Sequence, residues 1–347
     1  MHIALQIFTA NPQRGGMERY THDLANALLH RDHDVTTIAT TFANDWPGKH
    51  QRVDVTGSRA SKYAIFAAAT TDADVIHAMQ PVEHCDLYQP HSGFAPQSYA
   101  SKGPLHTLAN RFNAKRRLVQ KLEAALMRTA TIACLSQRQA DEARQHYATQ
   151  RLHVVHHGID LDRFDPDAVE PANLPGAARP TVLFVAQNFR WKRLGFALEV
   201  IARCSTRPRL AVVGRDDAKP FRKQAERLGI DERVIFVGEV ADTAPYHAAA
   251  DALILPTLDE PFGLVVLESI AMGNPVVLYE TAGAAEIVND GATGRVLSDP
   301  HGVAAWAREL DIVLDANNDH HTHCLAQRPA LAFDRHVDRL IDLYRQV

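Results

Sequence analysis

Cysteine is scarce in this chain. Cys85, Cys134, Cys204 and Cys324 are the only four in 347 residues, and no two form a C-x-x-C pair. A disulfide framework and a cysteine-rich zinc site are thereby excluded, and the four read as small buried hydrophobes in a reducing cytoplasm. No run of about 18 apolar residues is present, which excludes a transmembrane helix. Residues 1–6, MHIALQ, lack a basic stretch followed by a long apolar one, and read as a buried strand rather than a signal peptide. Neither sign of charge dominates. The 37 Lys and Arg against 41 Asp and Glu leave a formal net charge of -4 with His neutral, which excludes a global polycation for nucleic acid. Internal repeats and low-complexity segments are also lacking.

What is present is an ordinary globular composition, 46% apolar and 22% charged. The length exceeds one ordinary core and suits two domains of about 170 residues each. Apolar runs at 3–8, 35–38, 75–78, 131–135 and 152–155 predict strands in the first half. Runs at 182–186, 210–213, 234–237, 253–255 and 276–278 predict strands in the second. Met17, Tyr20, Leu24, Ala27 and Leu28 repeat at helical spacing after the first run. Near-continuous apolar strands alternating with helices predict an α/β fold with parallel sheets covered on both faces. Two such series predict two doubly wound domains. Residues 160–180 carry Asp162, Asp165, Pro166, Asp167, Pro171, Pro175, Gly176 and Pro180 with little periodicity, and mark the boundary. The division is set at 1–165 and 166–330. Residues 331–347 form a closing amphipathic helix built on Phe333, Val337, Leu340, Ile341 and Tyr344.

Three segments have the makings of chemistry. Gln13-Arg14-Gly15-Gly16-Met17-Glu18-Arg19 follows the first strand and opens a helix. Its glycines let backbone N–H groups approach an anion at the positive helix end, although the residues equally suit a tight strand–helix turn, and the spacing is not G-x-G-x-x-G. In Glu260-Pro261-Phe262-Gly263-Leu264-Val265-Val266-Leu267-Glu268, a loop carboxylate precedes a helix beginning near Gly263, and a second carboxylate lies inside it. Carboxylates suit ligand hydroxyls and helix N–H groups suit phosphates, while a capping Glu and a surface Glu would look the same. In Gln187-Asn188-Phe189-Arg190-Trp191-Lys192-Arg193, three cations stand just past a strand, where open α/β sheets bind ligands. They suit a departing phosphate, and Arg190 and Arg193 also suit a solvated basic loop.

Taken in order, these pieces resemble the retaining glycosyltransferases of family 4, which have the GT-B architecture. Glu260-x7-Glu268 matches the family's E-x7-E signature. Ala271-Met272-Gly273-Asn274-Pro275-Val276-Val277, Gly283-Ala284-Ala285-Glu286-Ile287-Val288, the R-G-G-M-E-R segment and His157-Gly158-Ile159-Asp160 fit the family's run. The likeness covers almost the whole chain. It implies two Rossmann-like domains facing across a cleft, an acceptor side first and a nucleotide-sugar side second, with the C-terminal helix packing back on the N-domain. Asp86-Leu87-Tyr88, the basic 111–128 helix, Phe189-x-x-Lys192 and Val213-Gly214-Arg215-Asp216-x-x-Lys219-Pro220 are similar to members that add glucose to the lipopolysaccharide core.

The resemblance also implies roles. Glu260 would contact donor-sugar hydroxyls, and Phe262, Gly263 and Leu264 would offer N–H groups to sugar and diphosphate. Glu268 would hold the ribose, and Lys192 the diphosphate, which Gly15 and Gly16 approach from the other domain. The base would lie near Gly214-Arg215 and residues 237–240, including Val240. His91 would contact the donor sugar. Where many members carry an Arg five residues before the Lys, this chain has Gln187, and Arg190 is the substitute at hand. The leaving phosphate would help deprotonate the acceptor on the front face, so no nucleophile is assigned, and no metal or other cofactor is expected. Asp72-Ala73-Asp74 and Asp160-Leu161-Asp162 spell D-x-D but sit at element junctions, and read as capping or turn residues.

Nineteen histidines are many. His77, His153, His156 and His157 read as structural, and His320-His321-Thr322-His323-Cys324 as a polar loop with at most adventitious metal binding. Arg111, Lys115, Arg116, Arg117, Lys121 and Arg128 crowd one helix, with apolar Phe112, Leu118, Val119, Leu122 and Leu126. That face suits either solvent or an anionic membrane surface; without a stacking motif it does not suit nucleic acid. The sequence therefore predicts a cytoplasmic transferase, peripheral on the inner face of the cytoplasmic membrane. It would move a hexose, glucose from UDP-glucose, to a lipopolysaccharide-core or other glycolipid acceptor. A mannosyl- or other hexosyltransferase, a sugar-nucleotide epimerase and a non-catalytic sugar-nucleotide-binding protein are the alternatives.

Overall fold

The computed structural model describes residues 1–95, 113–147, 149, 151–175, 180–315 and 319–347; Arg111, Phe112 and Gly176 lie outside them. The chain divides into two compact units, Met1–His157 with Asp334–Val347, and Gly158–Phe333.

In the first unit the strands are β1 (His2–Gln6), β2 (Thr9–Ala10), β3 (Asp34–Ala39), β4 (Thr41–Phe42), β5 (Lys49–Arg52), β6 (Val75–Ala78), β7 (Leu87–Tyr88), β8 (Thr131–Cys134) and β9 (Leu152–Val154). Seven form one sheet in the order β5-β3-β1-β6-β7-β8-β9, and β2 pairs β4 separately. Every pairing is parallel. Such a sheet is covered on both faces, which is why β1, β3, β6 and β8 are buried almost throughout. Strands β5 and β7 were not legible: β5 is KHQR at an edge, and β7 has two residues. Ser58, Asn113 and Ser136 each accept a bond from the amide three residues on, fixing the starts of helices Arg59–Ala67, Ala114–Thr129 and Gln137–His146.

The second unit holds β10 (Thr181–Val185), β11 (Arg209–Val213), β12 (Val234–Gly238), β13 (Ala252–Leu255), β14 (Val276–Tyr279) and β15 (Gly294–Leu297). They form one parallel sheet in the order β12-β11-β10-β13-β14-β15. The order runs outward from β10 and then restarts on its other side at β13. That reversal makes a crevice beyond the carboxyl ends of β10 and β13, the place where open α/β sheets take ligands. The core beneath it is packed from Val182, Phe184, Leu198, Ile201, Val212 and Trp306.

The two doubly wound sheets are those expected from the sequence. The division differs, falling at His157/Gly158 rather than after residue 165. Ile159 N donates to Leu331 O at 2.8 Å, and Phe333 N to Ile159 O at 2.9 Å. Arg163 adds a fork to Asp242 Oδ1 at 3.1 and 2.8 Å. These bonds commit residues 158–165 to the second unit. Helix Phe333–Tyr344 buries His336, Val337, Leu340, Ile341, Leu343 and Tyr344. His320–Gln327 is a helix, not the loop its polarity suggested, because Cys324 is buried and His320 Nδ1 donates to Ala292 O at 2.6 Å. All four cysteines are buried. Burial pushes the Cys134, Cys204 and Cys324 thiols up to about 12, so they act as hydrophobes.

Candidate active site

The site is densest at the β10/β13 reversal. After β10 the chain turns tightly: Asn188 Oδ1 accepts Trp191 N at 2.8 Å, and Asn188 O accepts Lys192 N at 3.0 Å. Buried Phe189 anchors the turn, its N–H donating to Asp216 Oδ2 at 2.8 Å. Lys192 Nζ thereby forms an ion pair with Glu260 Oε2 from the loop after β13. Burial brings the Lys192 ammonium down to about 8, against a smaller opposing pull from Asp259. The Glu260 backbone is held independently, since its carbonyl accepts Gly283 N at 3.0 Å. Phe262 is buried and its carbonyl accepts Ala284 N at 2.8 Å. Gly283 must be glycine, because a Cβ would overlap the Pro261 carbonyl oxygen.

Gly263 caps helix Leu264–Ala271 at φ 100°, a left-handed conformation that favours glycine. The first N–H groups of that helix have no acceptor within it and carry its positive end. Glu268 lies within the helix, and its Oε2 accepts His247 Nε2–H at 3.1 Å and Thr243 Oγ1–H at 3.3 Å. His247 is fully buried, and its carbonyl accepts Asn274 Nδ2 at 2.6 Å. Neither His247 nor Thr243 was singled out in the sequence. Only the short helix Ala244–Ala248 between β12 and β13, capped by Thr243, brings them to Glu268, and no spacing announces it.

The remaining second-unit candidates line the same edge. Gly214, at φ 149°, has its N–H bonded to Gly238 O at 2.9 Å, and a Cβ there would overlap the Ala186 carbonyl oxygen. Gly214→Ala is expected to cost about 3 kcal/mol and lower the melting temperature by roughly 10 °C. A melting temperature within 2 °C of wild type would show that the β10–β11 approach has room to spare. Arg215 Nη2 donates to Gln187 Oε1 at 2.8 Å, and its Nη1 lies 3.6 Å from Glu239 Oε1. A guanidinium thus reaches the Gln187 side chain, while Arg190 is exposed. Val240 follows β12 and is half-buried.

In the first unit, Gly15 caps helix Gly16–Leu29 in extended backbone, φ 179°. His91 follows β7 and donates from Nε2 to Gln89 Oε1 at 3.1 Å. Its ring lies 4.6 Å from that of Tyr20 and 5.1 Å from that of His157. His157 and His336 complete a packed set, with centroids 5.4 Å apart. His336 Nδ1 donates to His156 O at 2.8 Å, so its Nε2 must accept the Tyr20 hydroxyl, also at 2.8 Å. His77 Nδ1 bonds Tyr344 Oη at 2.7 Å. Burial holds all four imidazoles below their usual range: His77 at about 3, His336 at about 4, and His91 and His157 well down.

On helix Ala114–Thr129, Arg117, Lys121 and Arg128 are exposed and Arg116 is half-buried. Lys115 is exposed too, with its ammonium over the Tyr63 ring, 4.8 Å from the centroid. Asp160 Oδ1 accepts the amides of Asp162 and Arg163 at 3.0 and 3.1 Å, and Asp74 Oδ2 accepts His2 N at 2.7 Å. Asp160 thus serves a local turn, whereas Asp74 ties the start of β1 across 72 residues of sequence. Among the described residues, no three His, Cys, Asp or Glu side chains converge in a metal-holding group.

Two family models match in succession, "Glycosyltransferase Family 4" over residues 14–163 and "Glycosyl transferases group 1" over residues 179–316. The chain belongs to glycosyltransferase family 4. Among its relatives, the lipopolysaccharide glucosyltransferase WaaG of Escherichia coli is 25% identical over 312 residues, 82% of each chain. A crystal structure of WaaG superposes with a TM-score of 0.82 at 22% identity, covering 99% of both chains, and shows the same GT-B fold. A D-inositol 3-phosphate glycosyltransferase of Mycobacterium sp. strain JLS is 35% identical over 175 residues. That match covers 47% of this chain and 39% of that protein. The structure of Anabaena HepE in complex with UDP-glucose has a TM-score of 0.75 at 18% identity over the full length of both. For a family 4 chain, the Lys192–Glu260 pair and the helix bearing Glu268 are the second-unit residues that the fold gathers.

Proposed function

We propose that the chain is a retaining hexosyltransferase that takes glucose from UDP-glucose and delivers it to a lipopolysaccharide-core or related glycolipid acceptor. The observation that carries this reading is the Lys192–Glu260 pair at the sheet reversal, four residues before a helix N-terminus. In this reading the bond from the anomeric carbon to the diphosphate breaks, and negative charge grows on the leaving oxygen. Lys192 and the N–H groups of Gly263 and Leu264 stabilise that charge, and such stabilisation lowers the barrier to transfer more than any other single effect. Glu260 receives sugar hydroxyls and Glu268, braced by His247, receives the ribose. The acceptor oxygen bonds the anomeric carbon on the face that the phosphate leaves, and its proton passes to the departing phosphate oxygen. Arg215 with Val240 borders the base. No metal or other resident cofactor takes part.

Support for glucose comes from the glucosyltransferase WaaG, and support for a uridine diphosphate donor from the HepE complex with UDP-glucose. A second reading, transfer to a soluble phosphorylated polyol, draws on the 35% match to the inositol phosphate enzyme. The test is a panel of UDP-, GDP- and ADP-sugars. UDP-glucose is expected to raise the melting temperature, by the equivalent of about 2.7 kcal/mol at a hundredfold excess over Kd, and to be hydrolysed slowly. No response to any nucleotide sugar overturns the proposal.

The same reading places the protein in the cytoplasm, on the inner face of the membrane, docked through Arg117 and Lys121 and their neighbours. No helix among the described residues is long and apolar enough to cross a membrane. Binding to vesicles containing anionic lipid is expected to fall steeply between low and physiological salt, as screening shortens the reach of exposed cations. Salt-independent or absent binding removes this part.

A further inference from the structure

Arg193 adopts a conformation that ordinarily belongs to glycine. It caps helix Leu194–Arg203 at φ 59°, ψ 43°, and its side chain makes no capping bond. Arginine is disfavoured there, since the left-handed region brings Cβ against the backbone. Its guanidinium, however, is engaged elsewhere. Nη1 donates to Pro256 O at 3.2 Å, Nη2 donates to His301 Nδ1 at 3.5 Å, and the fork stacks 4.3 Å from the Phe196 ring centroid. Pro256 begins the loop after β13, and His301 stands in the loop after β15. The β15 loop is itself anchored, with His301 N donating to Asp299 Oδ1 at 2.9 Å and Trp306 Nε1 to Asp299 O at 2.8 Å. One side chain therefore ties the loops after β10, β13 and β15 across the carboxyl edge of the sheet. Lys192 immediately precedes Arg193, and Glu260 lies four residues past Pro256.

We propose that Arg193 is a positioning residue whose guanidinium locks the β10 and β13 loops together and so holds Lys192 against Glu260. A solvated loop cation would make no such bonds, and a residue serving only the helix start would be better as glycine. The catalytic consequence rests on the function proposed above; the structural tie does not.

Arg193→Gly separates the possibilities, because it relieves the left-handed backbone while deleting the tie. The melting temperature is expected to hold or rise. Turnover of UDP-glucose is expected to fall about tenfold with a smaller change in KM, because the donor's other contacts persist. A second readout needs no activity: the Lys192 titration midpoint, measured by competitive acylation and mass spectrometry. It starts at about 8 and is expected to shift in Arg193→Gly, as the loosened loop changes both the water around the ammonium and its hold on Glu260. An unchanged midpoint, or wild-type turnover in Arg193→Gly, overturns the proposal. If the wild type turns over no donor, the functional reading fails and the midpoint alone decides the role of Arg193.

Discussion

Replacing Lys192 by alanine is expected to lower turnover by about 10²- to 10³-fold, or 2.7–4 kcal/mol, the usual loss when a donor to a developing anion is removed. Stability is expected to change far less. The ammonium is already disfavoured by burial, which brings it down to about 8. Removing it leaves Glu260 partly buried without its ion partner, but that carboxyl can take up a proton. The loop need not collapse, because the Glu260 carbonyl keeps its bond from Gly283 N. Glu260→Gln tests the pair from the other side. If the two groups act as a unit, the double variant loses much less than the sum of the single losses. The measurement is kcat for both single variants and the double, beside their melting temperatures. A fall in melting temperature that accounts for the lost turnover would make Lys192 a structural residue, and turnover within threefold of wild type would remove it from the site.

Acid is expected to destabilise the first unit well above the pH at which its carboxylates protonate. The cause is the buried histidine set around Tyr20. His77 and His336 have an ordinary value of 6.5 and are held at about 3 and about 4 by burial. Between those limits the unfolded chain binds protons that the folded unit refuses, so stability falls as pH falls. The contribution is complete above pH 6.5 and erodes below it. At pH 5 each of the two has lost about 2 kcal/mol, and His91 and His157, displaced in the same direction, add to the loss. Against a typical total of 5–15 kcal/mol, that removes a large share of the unit's stability near pH 5. Urea unfolding followed across pH 7.5 to 4.5 reads the slope directly. His336→Gln should reduce stability at pH 7.5, because it deletes the bond from the Tyr20 hydroxyl, and should also flatten the acid slope by about one proton. A slope that stays the same in His336→Gln would show that the imidazole titrates normally in the folded state.

The parallel sheets were legible because strands covered on both faces are apolar throughout, as in Ile3-Ala4-Leu5 and Val182-Leu183-Phe184. The closing helix was legible because Val337, Leu340, Ile341 and Tyr344 repeat at helical spacing. Edge strand β5 was not, since KHQR carries no burial signal at all. Lys192, Glu260 and Glu268 could be picked out because they sit in contiguous motifs. His247, Thr243 and the tie made by Arg193 could not, because each acts through residues 21–108 positions away that only the sheet order brings near. The boundary was misjudged for a related reason. Prolines and aspartates marked an irregular stretch correctly, but irregular chain can be firmly held, as the Arg163–Asp242 fork holds this one.

The first unit is built from residues 1–157 and 334–347, with the whole of the second unit between them. On the ribosome this inverts the order of completion. Residues 158–333 contain every strand of their own sheet and can close their core as soon as they emerge. The first unit, although made earlier, lacks Val337, Leu340, Ile341 and Tyr344 until its neighbour has been synthesised in full. Until then His77 has no Tyr344 and Tyr20 has no His336, and the surface that receives the final helix stands open to chaperones and proteases for the time taken to translate 176 residues.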